Sequence, residues 1–252
     1  MCTVTVVHAG ATWRLVCNRD ERRTRAGAHP PFITRAGSLQ LLAPQDPVGG
    51  GTWVAVNSAG LAFALLNGDG GAPAGRRSRG LVIHGVAAST TTADVADAFA
   101  RLDLESFAPF RLLVADDRGI AEFVSDATDW DVRLHSTAAP RLFTSSSLGD
   151  ALVEGPRRAL FDQMFVAGAD LVARQDAFHG HRWRDRPAVS VHMSRPDACT
   201  VSTTMVEVTR REVRMSYEPA HDRIGTHVGL AISRHGGAHG PAHWSRSEHA
   251  AV

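Results

Sequence analysis

The chain has 252 residues, of which 44% are hydrophobic and 21% charged, as is typical of a soluble globular protein. This length is near the upper size of a single hydrophobic core, so one domain is predicted. The formal net charge of +1 gives no electrostatic reason to expect a nucleic acid or an anionic membrane as partner. All 27 basic residues are arginine, which excludes lysine chemistry and is typical of a GC-rich bacterial genome.

The sequence predicts neither a signal peptide nor an integral membrane span, because it lacks a charged start followed by an apolar run and any stretch of about 18 apolar residues. Its three cysteines, Cys2, Cys17 and Cys199, are an odd number without metal-ligand spacing. A disulfide framework, a metal site and a bound cofactor are therefore not predicted. These features favour the cytoplasm and a small-molecule ligand, and they do not indicate an oligomeric state.

Two segments of alternating apolar residues, 2–7 and 13–19, flank a short turn and predict a β-hairpin. The register that keeps one face of this hairpin apolar places Cys2 opposite Arg19. A shift by one residue would still leave Cys2 opposite a residue within 18–20.

Hydrophobic periodicity predicts further strands and helices. Two segments are predicted to be irregular: 21–49, which is rich in Arg and Pro, and the loop 67–75. Strands are predicted at 49–56, 61–66, 110–116, 120–126, 129–136, 141–146, 189–194, 199–208 and 212–218. Helices are predicted at 81–89, 94–102 and 156–178, with Thr91 or Thr92 as an N-cap and Gly168 as a helix separator. Hairpins without βαβ crossovers predict an α+β fold with helices packed on antiparallel sheets.

The predicted domain covers residues 1–218, and residues 219–252 form a Gly- and His-rich, loosely ordered tail because hydrophobic periodicity is lost there. The tail contains six histidines, which could bind a metal or haem. Glycines between them would not hold a rigid ligand pair, so a disordered tail is favoured. The six residues are His221, His227, His235, His239, His243 and His249.

The position of Cys2 suggests a specific chemistry. Removal of Met1 would give one residue both a thiol and an α-amine of pKa about 7.7–8.0, so base and nucleophile would belong together. Opposite Cys2, the run 18–21 supplies a guanidinium that favours a thiolate and carboxylates that orient an amine. Arg19 and Asp20 are therefore the predicted partners of a Cys2 nucleophile. The structural alternative for Cys2 is a small residue on a buried strand with Met1 retained. For 18–21 it is a strand end in which Asp20 caps a turn and Arg19 forms a surface ion pair.

Five segments together resemble the NRDE family, also known as transport and Golgi organisation protein two-like, a branch of the Ntn-hydrolase superfamily near choloylglycine hydrolases and penicillin V acylases. They run in order along most of the chain: MCTV at the start, CNRDE at 17–21, GGGTWVAVNSAGLAFALLN at 49–67, RLFTSSSLGD at 141–150 and VHMSRPDACTVSTT at 191–204. The resemblance implies a four-layer αββα sandwich of antiparallel sheets flanked by helices.

The resemblance also implies residue roles. Cys2 matches the acylase nucleophile, Asp20 the aspartate beside the N-terminal amine, and Asn67 an asparagine of the oxyanion hole. Cys17 stands where the acylases have an arginine, so Arg19 is predicted to act in its place.

The stretch that corresponds to a second acylase asparagine contains only Thr and Ser here. Either Ser145 and Ser146 supply the donor hydroxyls, or this half of the oxyanion hole is missing. With them, three residues of the shared motifs complete the predicted substrate-binding set: Asn18, Glu21 and Trp53.

Two functions from different classes remain open. The first is an N-terminal-cysteine amidohydrolase or acyltransferase that acts on a small amide or thioester. The second follows from the eukaryotic family members, which are associated with lipid and haem handling. It is a catalytically weak protein that binds or traffics haem or an acyl-CoA-like hydrophobic carboxylate in the same cleft.

Overall fold

The computed structural model describes residues 2–68, 77–166, 168, 170–220 and 227–234. In this part of the chain, two antiparallel β-sheets carry α-helices on their outer faces. Sheet A consists, from edge to edge, of β10 (Arg141–Thr144), β1 (Cys2–Ala9), β2 (Thr12–Arg22), β11 (Ala198–Val208), β12 (Glu212–Pro219) and β13 (Val228–Ser233). Sheet B consists of β3 (His29–Ala36), β4 (Leu39–Gln45), β5 (Val54–Asn57), β6 (Ala62–Asn67), β7 (Phe110–Ala115), β8 (Ile120–Ser125) and β9 (Trp130–His135). The helices are α1 (Leu81–Val86), α2 (Thr92–Phe99), α3 (Asp150–Met164) and α4 (Leu171–His179).

Three hydrophobic clusters define four layers. The largest cluster lies between the sheets and includes Cys2, Leu15 and Leu113. A second joins sheet B to α1 and α2, and a third lies under α3 and α4 beside sheet A, where Phe178 is fully buried. Because each sheet buries both faces, the order helix–sheet–sheet–helix is the αββα sandwich that was predicted.

The N-terminal hairpin has the predicted register. Cys2 pairs with Arg19 and Val4 with Cys17, and the turn falls between β1 and β2. Side chains alternate between the two faces of a strand, so Cys2 and Cys17 lie on the face that packs against sheet B. The hairpins β5–β6 and β7–β8 are also confirmed.

The predicted helix boundaries agree with the structure at several points. Thr91 caps α2 in a capping box, because its side chain accepts a hydrogen bond from the backbone N–H of Asp94, and the Asp94 side chain accepts one from that of Thr91. Gly168 lies between α3 and α4 with φ of +78°, a conformation that favours glycine. The third predicted helix begins earlier than 156, since α3 starts at Asp150.

Three predictions are corrected. Segment 21–49 is not irregular, because β3 and β4 pair within it. Segment 189–194 is not a strand and makes only an isolated bridge between Ser194 and Cys199. The predicted tail contributes β13, which pairs with β12. Residues 69–75 of the predicted loop 67–75 lie outside the described residues, whereas Asn67 ends β6. Five of the six tail histidines, all but His227, also lie outside them.

None of the described helices is long and apolar enough to cross a membrane.

Candidate active site

A cleft of about 840 Å³ opens at one end of the sandwich, where β1 begins and β2 and β6 end. This volume lies within the range of about 300–1,000 Å³ of small-molecule sites. Of the predicted site residues, the cleft is lined by Cys2, Arg19, Glu21, Trp53 and Asn67. The fold thus brings together residues far apart in the sequence.

The Cys2 thiol is buried at the base of this cleft beside the Cys17 thiol. A hydrogen bond from Cys17 lowers the pKa of Cys2 below that of an ordinary thiol, and the charge of Arg19 acts in the same direction. Burial and the Asp20 charge oppose this shift. The pKa of Cys17 is raised well above the ordinary value by the same bond and by burial. The pair therefore favours a thiolate on Cys2 and a neutral donor thiol on Cys17.

The backbone nitrogen of Cys2 is placed by β10. It donates to the hydroxyl oxygen of Ser145 at 3.2 Å, and the Ser145 N–H donates to the Cys2 carbonyl at 2.9 Å. Ser145 is fully buried. The predicted serine thus contacts the nitrogen that would become the free amine after removal of Met1.

The strand alternation of β2 divides the run 18–21 between two faces of sheet A. Arg19 and Glu21 face the cleft, whereas Asn18 and Asp20 face the helices. Asn18 is fully buried: its amide donates to the backbone carbonyls of His179, at the end of α4, and Val191, and its oxygen accepts from Thr203. The structure therefore does not bring Asn18 into the cleft, and its polar atoms stabilise the sheet–helix interface.

Asp20 is almost completely buried. One carboxylate oxygen accepts from the Thr200 hydroxyl at 2.6 Å, and the other lies 3.8 Å from the guanidinium of Arg157. Burial raises the pKa of Asp20 and outweighs the opposing effects of Arg157 and Thr200. The carboxylate is thus held in a fixed position under the N-terminal strand.

Arg19 stacks on Trp53, with its guanidinium carbon 4.2 Å from the ring centroid. The same guanidinium lies 3.0 Å from Asp46 and 3.6 Å from Glu21. Burial would raise the pKa of Asp46, but the hydrogen bond from Arg25 and the surrounding charges hold it below its ordinary value. Arg19 is therefore a fixed cation in the wall of the cleft.

The serine stretch is divided in the same way as 18–21. Ser146 does not line the cleft: its N–H donates to Asp150 at 2.6 Å and its hydroxyl accepts from the backbone of Leu148 at 3.1 Å, so it shapes the turn into α3. Ser147 lines the cleft in its place and accepts from Arg195 at 3.1 Å.

The comparisons with known proteins agree with this architecture. The family model "Transport and Golgi organisation 2" matches residues 1–144. The chain belongs to this family. No curated protein matches the sequence.

The fold of this Transport and Golgi organisation 2 family member is also that of solved Ntn-hydrolases. A Caenorhabditis elegans N-acylethanolamine-hydrolyzing acid amidase ortholog matches with a TM-score of 0.55 at 14% identity, covering 81% of this chain and 92% of that chain. Penicillin V acylase from Agrobacterium tumefaciens matches with a TM-score of 0.55 at 12% identity, covering 92% and 86%. A variant of conjugated bile acid hydrolase from Clostridium perfringens matches with a TM-score of 0.54 at 11% identity, covering 92% of each chain. At these identities the likeness establishes the fold alone.

Sequence reasoning missed several arginines at this family member's site, among them Arg157, Arg79 and Arg195. Arg157 is buried and donates to the Thr3 hydroxyl at 2.7 Å and to two backbone carbonyls. Arg79 and Arg195 line the cleft. On a helix, Arg157 follows a proline and precedes another arginine, a pattern typical of a solvated face, so only the structure reveals its burial.

Among the described residues, no group of three or more His, Cys, Asp or Glu side chains is placed to hold a metal ion. The described residues that line the cleft include neither His nor Met. Cys2 is therefore the side chain in that set that could serve as a ligand to haem iron.

Proposed function

We propose that this protein is an N-terminal-cysteine amidohydrolase or acyltransferase that acts on a small amide or thioester. The observation that carries the proposal is the Cys2 thiol at the base of a ligand-sized cleft, with the Cys17 thiol donating to it. A cysteine nucleophile acts as the thiolate, and this arrangement favours the thiolate on Cys2. The cysteines are free and buried, which supports a reducing compartment such as the cytoplasm.

The mechanism begins with removal of Met1, which gives Cys2 a free α-amine. The Cys2 sulfur then attacks the substrate carbonyl carbon, and the α-amine holds the proton of the thiol. When the tetrahedral intermediate collapses, the bond to the leaving nitrogen or sulfur breaks and the amine delivers its proton to that leaving group. Water attacks the resulting thioester of Cys2 and releases the acid, whereas an acceptor amine or thiol in its place would give acyl transfer.

We propose that two groups serve the α-amine. Ser145 lies 3.2 Å from the Cys2 nitrogen and can accept one of its hydrogens. Asp20 is a buried carboxylate on the adjacent strand, and its negative charge stabilises a protonated amine. Asp20 is held by the Thr200 hydroxyl, and Ser145 by its backbone hydrogen bond to the Cys2 carbonyl, so both groups orient the amine.

Asn67 is the proposed oxyanion donor, because it ends β6 and lines the same cleft as Cys2. An amide N–H aimed at the developing negative oxygen is typically worth about 2.7–4 kcal/mol in the transition state. Glu21 and Trp53 line the cleft and are proposed to contact the substrate, together with Ser147 rather than Ser146.

The test is hydrolysis of a panel of acyl p-nitroanilides and acyl thioesters by the wild type and by Cys2→Ala. We expect turnover of at least one compound by the wild type and its loss in Cys2→Ala. Cys199→Ala is the matched control, because Cys199 is a buried cysteine that does not line the cleft, and it should retain activity. Equal turnover by Cys2→Ala and the wild type would contradict the proposal.

The same experiment separates catalysis from binding alone. If the wild type hydrolyses no compound but binds haem or a fatty acyl thioester saturably, the cleft serves as a binding or trafficking site and the catalytic proposal fails. In that case the affinity should be unchanged in Cys2→Ala for the acyl thioester and reduced for haem, because Cys2 is the ligand that the described lining offers to iron.

A further inference from the structure

The lining of the cleft carries an excess of positive charge. Six of the described lining residues are arginines and three are carboxylates, in a chain whose formal net charge is only +1. Guanidinium groups remain protonated at any physiological pH. The cleft therefore presents positive potential to an entering ligand.

The three carboxylates are paired with three of these arginines. Asp46 lies 3.0 Å from Arg19 and 2.6 Å from Arg25, and Glu21 contacts the same two guanidiniums at 3.6 and 3.5 Å. Asp197 lies 3.3 Å from Arg195. These three carboxylates offset half of the six guanidinium charges.

Arg79 lines the cleft outside these pairs. Its guanidinium donates to the backbone carbonyl of Pro109 at 3.0 Å, and within the described part of the chain no carboxylate lies within ion-pair distance of it. Burial lowers the pKa of Arg79, whereas the charges of Glu21 and the Cys2 thiolate raise it. A half-buried guanidinium without a carboxylate partner is stabilised by an oxyanion ligand.

The backbone beside Arg79 packs closely against the segment that precedes β5. The Thr52 N–H donates to the carbonyl of Gly80 at 3.1 Å, and a Cβ built on Gly51 would lie 2.3 Å from the carbonyl carbon of Gly80. Only glycine permits this approach. Arg79 is therefore fixed in the cleft wall, where a ligand meets it without reorganisation of the chain.

We propose that the substrate of the cleft carries a carboxylate or phosphate group, and that Arg79 binds this oxyanion while the acyl carbon lies at Cys2. The proposal rests on the proposed function for the reacting group, but the oxyanion site itself needs no turnover. Arg77, exposed and 5.2 Å from the Phe107 ring, lies on the same rim and extends the positive surface.

The first test is calorimetric titration of Cys2→Ala with adipate, butyl phosphate and adipamide. We expect saturable binding of at least one anion, weaker or absent binding of the uncharged adipamide, and a loss of about tenfold in anion affinity on Arg79→Gln. Arg101→Gln, an exposed arginine outside the cleft, is the control and should bind as the parent does. If adipate binds more tightly, the oxyanion of the substrate is a carboxylate; if butyl phosphate binds more tightly, it is a phosphate.

Equal affinity for adipate and adipamide, or anion binding that Arg79→Gln leaves unchanged, would overturn the proposal. Absence of saturable binding for both anions would also overturn it. Circular dichroism of Arg79→Gln checks that the variant is folded before these results are interpreted.

The second test compares the alkylation rates of Cys2 with iodoacetate and iodoacetamide, located by peptide mass spectrometry. Relative to free cysteine, the ratio should favour iodoacetate by several-fold, fall on Arg79→Gln and fall with added salt. A ratio equal to that of free cysteine contradicts the anion site even when Cys2 is reactive. Selective anion binding together with an inert Cys2 supports the anion site and contradicts the catalytic proposal alone.

Discussion

Replacement of Arg157 by methionine should destabilise the protein more than any comparable change on the same helix surface. The Arg157 side chain is 1% exposed, donates to the Thr3 hydroxyl at 2.7 Å and to the Ser190 carbonyl at 2.8 Å, and lies 3.8 Å from Asp20. Methionine retains the apolar stem of the side chain. It leaves the two acceptors without a donor, and it leaves the buried Asp20 carboxylate without its cation.

The expected loss in the free energy of unfolding is about 3–5 kcal/mol, the usual cost of removing one partner of a buried charged pair. For a domain of this size, each kcal/mol lowers Tm by about 2–4 °C, so the fall should be about 6–20 °C. Arg158→Met is the matched control, because Arg158 is the next residue on α3 and its side chain is 39% exposed. Loss of its ion pair with Glu154 should cost about 0–1 kcal/mol.

The destabilisation should also depend on pH. Burial raises the pKa of Asp20, and Arg157 opposes that rise, so the pKa of Asp20 should increase further in Arg157→Met. The native variant then binds a proton that its unfolded chain releases, and its stability falls as pH increases through that range. The difference between wild type and variant should therefore be larger at pH 7 than at pH 5.

Urea unfolding followed by far-UV circular dichroism at both pH values measures these quantities. If Arg157→Met costs no more than Arg158→Met, the buried arginine does not stabilise the interface between sheet A and α3. If the cost is large but independent of pH, the hydrogen bonds of Arg157 account for it and its effect on Asp20 is refuted.

Three further predictions follow from the same structure. In Cys17→Ala, loss of the donor thiol should raise the pKa of Cys2, so the midpoint of the Cys2 alkylation rate against pH should move to higher pH. An unchanged midpoint would show that Cys17 does not lower the pKa of Cys2. Gly51→Ala should destabilise the protein by about 1–3 kcal/mol, because its Cβ would clash with the backbone of Gly80. Gly27→Ala, at an exposed position with open space around it, should change the free energy of unfolding by less than about 0.5 kcal/mol, and similar unfolding midpoints for the two variants would contradict the packing. Thr91→Ala should cost about 1 kcal/mol through loss of the capping box, and an unchanged Tm would show that the cap contributes nothing.

The N-terminal hairpin could be predicted from the sequence because local information sets its register. Alternation of β-branched residues assigns the two faces, and the short turn fixes the pairing of Cys2 with Arg19. The partner strands could not be predicted in the same way, because β11 and β10, which flank this hairpin, come from more than 100 residues along the chain.

Segment 21–49 misled the prediction because Pro and Arg are rare within central strands. Pro30 and Pro31 lie in β3, the edge strand of sheet B, where a missing N–H costs least. A segment rich in Pro and Arg is compatible with an edge strand as well as with an irregular loop, so its composition does not distinguish the two.

The candidate site was predicted in part. Because residues 18–21 are contiguous in the sequence, they are predicted to act together. Side chains alternate along β2, however, so Asn18 and Asp20 face the helices. Arg19 and Glu21 face the cleft. The other cleft residues are brought in by long-range contacts. Arg79 and Arg195 lie in loops that line the cleft, and a single sequence contains no periodic pattern that predicts where a loop packs.

The most direct test of the central claim is the reaction of the purified protein with 2-cyanobenzothiazole, read by intact and peptide mass spectrometry. This nitrile forms a stable thiazoline only with a cysteine that bears both a free α-amine and a free thiol. Met1 should be absent from the wild type, and one adduct should form at Cys2. Cys2→Ala should form no adduct. Retention of Met1, or an unmodified Cys2 in the folded wild type, would contradict an N-terminal nucleophile.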